Sequence, residues 1–87
     1  MNFEFDDIKS KSNKLKHGID FIEAQVLWRD PDRLEVPART ENEERFMLVG
    51  KIEKRYWSAI FTIRNGVTRI ISVRRARKQE VREYESG

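Results

Sequence analysis

The residues best equipped for chemistry are arginines, and they crowd into one part of the chain. Residues 51–87 hold ten Lys/Arg against four Asp/Glu, a balance of +6. Most of those cations are Arg55, Arg64, Arg69, Arg74, Arg75, Arg77 and Arg82. Residues 1–50 hold eight Lys/Arg against eleven Asp/Glu, a balance of −3, so the formal net charge of +3 conceals a polarity. A guanidinium is a planar fork of donors that fits phosphate better than the point charge of lysine. A one-sided basic surface with interleaved aromatics suits a polyanion; a solvated Arg/Glu face gives the same composition.

Other chemistries lack their parts. Cys is absent, which removes thiol nucleophiles, disulfides and Cys-ligated metal. The lone histidine, His17, makes a zinc site improbable, and Asp6, Asp7, Asp30 and Asp32 read as caps and turn formers. The four glycines (Gly18, Gly50, Gly66, Gly87) are scattered, so no phosphate loop is formed, and no nucleophile elbow is present. RNA cleavage needs less. The substrate supplies its own 2′-hydroxyl; the protein aligns it, neutralises the transition state and moves protons. Arginine does the second task at a pre-organised site, and histidine is the usual choice for the third.

Two helices, a meander and a closing helix would have to position these groups. Asn2 to Phe5 alternates as a short edge strand. Asp6 and Asp7 start a helix to about Lys16, and Gly18 fits its C-terminal stop. Ile8 and Leu15, seven residues apart, mark its one apolar line. Asp20 with Glu23 forms a capping box for a second helix with an apolar stripe of Phe21, Ala24, Leu27 and Trp28. Asp30-Pro31-Asp32 ends it. The period then falls to two. Strands are expected over 33–36, 45–52, 55–64 and 67–74, with a loop at 37–43 and hairpin turns at Glu53-Lys54 and Asn65-Gly66. Residues 75–85 read as a last helix with Val81 and Tyr84 inward.

Alternation predicts one apolar sheet face with Trp57, Ala59, Phe61 and Ile63. The opposite face would show Tyr56, Ser58, Ile60, Thr62 and Arg64 beside Thr68, Ile70, Ser72 and Arg74: an open, hydroxyl-lined, cationic floor. Arg64 and Arg74, on neighbouring strands, are the expected phosphate grips. Arg69 would point inward and pair with Glu80 or Glu44. His17, or failing it Tyr84, would shuttle protons. Lys9, Lys16, Ser72, Arg75, Arg77 and Arg82 are the expected RNA contacts, with Asn13 on the same helix side as Lys9 and Lys16. Trp28, Trp57, Phe46 and Phe61 read as core. Each has a bland alternative: His17 as a C-terminal cap residue, Arg64 and Arg74 as solubilising edge charges, Tyr84 as core.

Several segments together resemble the BrnT toxin family. They are Phe3-Glu4-Phe5-Asp6, Lys9, Asn13, Lys16-His17-Gly18-Ile19, Phe21 and Glu23-Ala24, then Glu44-Arg45 leading to Gly50. Arg69-Ile70-Ile71-Ser72-Val73-Arg74-Arg75-Ala76 follows, with Glu80 and Tyr84. They fall in the family's order and span nearly the whole chain; Phe5 stands where Trp is commoner. The resemblance implies an α+β, RelE-like fold, with helices on one face of a small antiparallel sheet. It implies a ribonuclease that arrests translation and is neutralised by a ribbon-helix-helix antitoxin of the BrnA type, the pair assembling as a heterotetramer.

The expectation is one domain over 1–87: two N-terminal helices on three or four antiparallel strands, then a C-terminal helix. It would be a cytoplasmic endoribonuclease using 2′-hydroxyl attack, with no metal and no organic cofactor. The opening residues lack the basic start of a signal peptide, and no apolar run approaches the roughly 20 residues that span a bilayer. A non-catalytic basic module that binds nucleic acid or protein is the rival. A duplex-DNA regulator is disfavoured, because no helix-turn-helix pattern is visible.

Overall fold

The computed structural model describes residues 1–40 and 42–87. Five strands form one sheet in the order β1-β5-β4-β3-β2: β1 Phe3–Glu4, β2 Leu34–Pro37, β3 Phe46–Ile52, β4 Arg55–Arg64 and β5 Val67–Arg75. The helices are α1, Asp7–His17; a 3₁₀ segment, Glu23–Arg29; and α2, Lys78–Ser86. The expected loop at 37–43 contains position 41, which lies outside the described residues. The expected three or four antiparallel strands become five in a mixed sheet, because β1 joins the β5 edge in parallel, Phe3 beside Thr68 and Glu4 beside Arg69. Alternation in Asn2–Phe5 signals a strand but carries nothing about its direction.

Local chemistry accounts for the element ends. Asp6 accepts from the Lys9 N–H at 3.0 Å and starts α1, which Gly18 closes at φ 83°. Asp20 accepts from the N–H groups of Ile22 and Glu23, while Glu23 reaches back to the Asp20 N–H at 2.9 Å. That reciprocal box was expected, but the turn it opens is 3₁₀ rather than α. The turn at Asn65-Gly66 has both residues at positive φ, 52° and 77°, matching the right-handed twist of β4 and β5.

The core lies between one sheet face and the 19–28 segment. Phe21, Ala24 and Leu27 pack on Leu48, Ala59, Phe61, Ile70 and Val73, all buried. Trp28 stands edge-on to both Phe3 and Phe61. Gly50 permits this approach: a Cβ there would meet the Leu27 side chain at 3.1 Å. Burying each large apolar side chain contributes about 1.5–3 kcal/mol.

α1 does not lie on that face. It runs along the β5 edge beyond the end of β1. There the Asn13 amide donates to the Val73 carbonyl and to the Ile19 carbonyl, both at 2.8 Å, and accepts from the Val73 N–H at 3.2 Å. One side chain thus stands in for a missing strand. Ser10 accepts from the Phe21 N–H at 2.9 Å. The helix therefore buries Ser10 and Asn13 and turns Ile8 and Leu15 to solvent, the reverse of the expected apolar line. Asn13 is structural, not a phosphate contact.

A register shift changes the strand faces. Ile60 pairs with Ser72 but Phe61 pairs with Ile70, so Ile71 is the extra residue of a bulge. From there toward Val67 the faces of β5 exchange: Ile70 and Thr68 are buried on the core side, and Arg69 turns to the outer side opposite Thr62. The expected outward Thr68 and Ile70 and inward Arg69 are thereby corrected. Arg69 pairs with Glu4 at 2.8 Å, not with Glu80 or Glu44. Ile63, expected in the core, is half-exposed beyond the packed region.

Candidate functional site

The outer sheet face is only partly open. α2 crosses it, and Val49 and Ser58, paired across β3 and β4, are fully buried there. The roof is tied down by Glu80. Its carboxylate receives two bonds from the Arg74 guanidinium and one from the Ser58 hydroxyl, each at 2.8 Å, and one from the Arg77 N–H at 2.9 Å. The Arg74 fork, with help from the other two donors, outweighs burial and holds Glu80 down at about 2. Arg74 is correspondingly harder to deprotonate. A second clasp joins Tyr84 to Asp30. The Tyr84 hydroxyl donates to Asp30 at 2.7 Å, and the same carboxylate accepts the N–H groups of Lys51 and Asp32 at 2.9 Å. Burial and the Asp30 carboxylate push the Tyr84 phenol well above its usual range. Burial works against ionised Asp30, yet the bonds from Tyr84 and the two N–H groups keep its carboxyl low.

Arg64 and Arg74 both lie opposite the core, as expected, but they do not meet. Arg74 sits across from Ser58 and Arg64 across from Val67. Six residues of β4 separate the two positions, about 20 Å at roughly 3.3 Å per residue. They cannot grip one phosphate. Arg64 is instead bidentate to Glu43, at 2.7 and 2.9 Å, beside the β4–β5 turn. That bond lowers the Glu43 carboxyl and raises Arg64. The open cationic floor is thus replaced by three acid-neutralised arginines: Arg74 at one end, Arg64 at the other, and Arg69, paired with Glu4, near the latter. Ser72 is exposed on the outer face opposite Ile60, two residues from Arg74. Arg77 caps α2, Arg82 lies exposed on it, and Lys9 and Lys16 are exposed on α1. Tyr84 is half-buried, its ring edge-on to Tyr56 at 5.4 Å.

A different end of the sheet brings uncommitted cations together. At the β3–β4 turn a cleft of about 530 Å³ is lined by Gly18, Ile19, Glu23, Ile52, Glu53, Lys54, Arg55 and Trp57. Lys14 holds Glu23 at 2.8 Å, so that acid is already paired. Arg75 pairs across the ladder with Trp57 and lies 5.5 Å from the centre of its ring. His17 is the last residue of α1, next to Gly18 in the cleft. The Asn13 bonds to Val73 and Ile19 fix that helix end against the last residues of β5. Lys54, Arg55 and Arg75 have no acid partner among the described residues.

His17 and Arg75 stood out in the sequence but Lys54 and Arg55 did not, and Trp57 read as core by pattern with a stacking platform as its alternative role. Trp57 is buried, yet one side of its ring is covered by a guanidinium rather than by apolar side chains. The available signal was the short basic hairpin Glu53-Lys54-Arg55, where a tight turn raises consecutive charges at the sheet margin. An arginine stacked on an indole is pre-oriented, and its free face can stack a base while its edge donates to phosphate. Among the described residues no three His, Asp or Glu side chains assemble as a metal site. Nor is any helix long and apolar enough to cross a membrane.

Such an arrangement defines a class: a small α+β domain whose unpaired cations collect around an aromatic-backed cleft suited to a polyanion. A family model described as the ribonuclease toxin BrnT of type II toxin-antitoxin systems matches residues 5–80. The chain belongs to the BrnT family of ribonuclease toxins. No curated protein gives a significant match.

Proposed function

We propose that this chain, acting as one domain in the cytoplasm, is a metal-independent endoribonuclease whose site is the cleft at the β3–β4 turn. The observation that carries the reading is Arg75 lying over the ring of Trp57, which lines the cleft with Lys54 and Arg55, while the only histidine in the sequence directly precedes Gly18 of the same cleft. The substrate's 2′-oxygen attacks phosphorus and the bond to the 5′-oxygen breaks. The products are a 2′,3′-cyclic phosphate and a 5′-hydroxyl. His17 takes the 2′-hydroxyl proton or delivers one to the leaving oxygen, while Arg75, Arg55 and Lys54 offset the developing charge. Tyr84 stays protonated, donating its hydroxyl to Asp30, and takes no part in the transfer. Arg74 serves the fold through Glu80, so its replacement by Ala would strand a half-buried carboxylate and disturb folding as well as activity. The partner is a ribbon-helix-helix antitoxin, in a heterotetramer with the toxin.

A single-stranded RNA incubated with purified protein and a chelator tests this. Cleavage should leave cyclic phosphate ends. Arg75→Ala and His17→Gln should each slow it about a hundredfold, within the range for a charge-stabilising or proton-transfer group. Arg64→Ala should stay within about threefold of the parent. Cleavage by Arg75→Ala at the parent rate would remove the site, and a strict need for added metal would remove the mechanism.

A further inference from the structure

α1 displays its apolar residues to solvent, and this needs an explanation. Ile8 is 79% exposed and Leu15 is 90% exposed, while Ser10 and Asn13 are buried. At 100° per residue, Ile8 and Leu15 fall within about 20° of each other, nearly opposite Ser10 and Asn13. Beside this stripe runs a groove of about 450 Å³ lined by Phe5, Ser10, Leu15 and Ile22, with Lys11, Lys14, Asp7 and Asp20 around it. Ile22 is itself 65% exposed. Asp20 is occupied in capping the 3₁₀ segment, and Lys14 in holding Glu23.

We propose that this stripe and its groove seat an acidic amphipathic helix of the antitoxin. The proposal rests on the reading of the chain as an antitoxin-controlled toxin and adds the docking surface. Three observations select the occupant. Apolar residues one heptad apart on an exposed helix present the pattern that a partner helix buries. Lysines border the stripe on both sides, Lys9 and Lys16 on one flank and Lys11 on the other, none with an acid partner among the described residues. A complementary helix therefore carries carboxylates beside its apolar residues. Strand addition is closed off here, because β1 and the Asn13 amide already satisfy the β5 edge. The stripe is remote in chemistry from the cleft: an isobutyl group nine-tenths in water offers nothing to phosphate.

The test uses a purified ribbon-helix-helix antitoxin of the BrnA type, titrated against the full-length toxin and its variants by calorimetry. Leu15→Asp should weaken binding at least tenfold, and Lys11→Glu about threefold or more with a shallower salt dependence. RNA cleavage by both variants should stay within twofold of the parent. Exposed positions of this kind scarcely affect folding; Leu15→Ser replaces Leu15→Asp if the latter unfolds. If the parent binds the antitoxin and the variants bind it equally well, the surface is wrong and the toxin reading stands. If the parent binds no antitoxin, both fall. If the stripe is needed only for binding phosphatidylserine vesicles, it is a membrane contact and the proposal is overturned.

Discussion

Replacing Glu80 by Gln probes the bond that fixes α2 to the sheet. The carboxylate accepts four hydrogen bonds, two of them from Arg74, and the pair is largely shielded, at 12% and 27% side-chain exposure. The drop from the ordinary 4.5 to about 2 corresponds to about 3 kcal/mol at roughly 1.4 kcal/mol per decade. Glutamine keeps the shape and part of the bonding, so the variant should lose about 2–3 kcal/mol at neutral pH. For a domain of this size that lowers the melting temperature by about 10–20 °C. The pH dependence carries the sign. Unfolded chains take up the Glu80 proton near 4.5, folded ones only near 2. The contribution is therefore complete above about pH 5 and drains away as pH falls toward 2. The other carboxyls titrate alike in both chains, so the gap between parent and variant isolates this residue. Urea unfolding followed by circular dichroism at pH 7, 5, 3 and 2 measures it. A gap that is the same at pH 2 and pH 7, or one below about 0.5 kcal/mol throughout, would refute the reasoning.

Three further outcomes follow from single contacts. Asn13→Ala leaves the Val73 N–H and carbonyl and the Ile19 carbonyl without partners; stability should fall by about 2–4 kcal/mol, with loss of exchange protection at the Val73 amide in NMR spectra. Tyr84→Phe removes one hydroxyl bond to Asp30 and should cost about 1 kcal/mol; the pH profile of RNA cleavage should not move, and a shift there would restore Tyr84 to proton transfer. Glu53 holds a left-handed backbone at φ 55°; Glu53→Gly should raise stability by about 0.5–1 kcal/mol in denaturant titrations.

Much of the fold was legible wherever short-range chemistry decides. Asp6 and Gly18 bound the first helix, Asp20 and Glu23 box the next turn, and Glu53-Lys54 and Asn65-Gly66 set the hairpins. What escaped depends on groups far apart in sequence. Asn13 is a polar residue in a polar helix until its amide meets Val73, sixty residues later. That contact, not the apolar line of Ile8 and Leu15, orients α1. The extra residue at Ile71 lies inside a run that alternates well, so nothing local marks the exchange of faces beyond it. α2 falls on the outer face because Glu80 finds Arg74 and Ser58, and this converts an expected phosphate grip into a structural tie. The candidate site was half legible: His17 and Arg75 stood out by type. Arg75 acquires its meaning only from Trp57 across the ladder, and Lys54 and Arg55 only from the turn that lifts them.

The bulge at Ile71 lets a single nine-residue strand serve two masters. Its early half lends Thr68 and Ile70 to the interior, and its late half turns Ser72 to solvent and sends Arg74 out to Glu80 on α2. Had the ladder run straight, these duties would collide, with an aliphatic chain facing water wherever a hydroxyl now does, or a guanidinium pressed among aromatics. Inserting a second residue beside Ile71 would therefore swap grease for charge over half the strand, whereas deleting Ile71 would leave both halves facing as they now do.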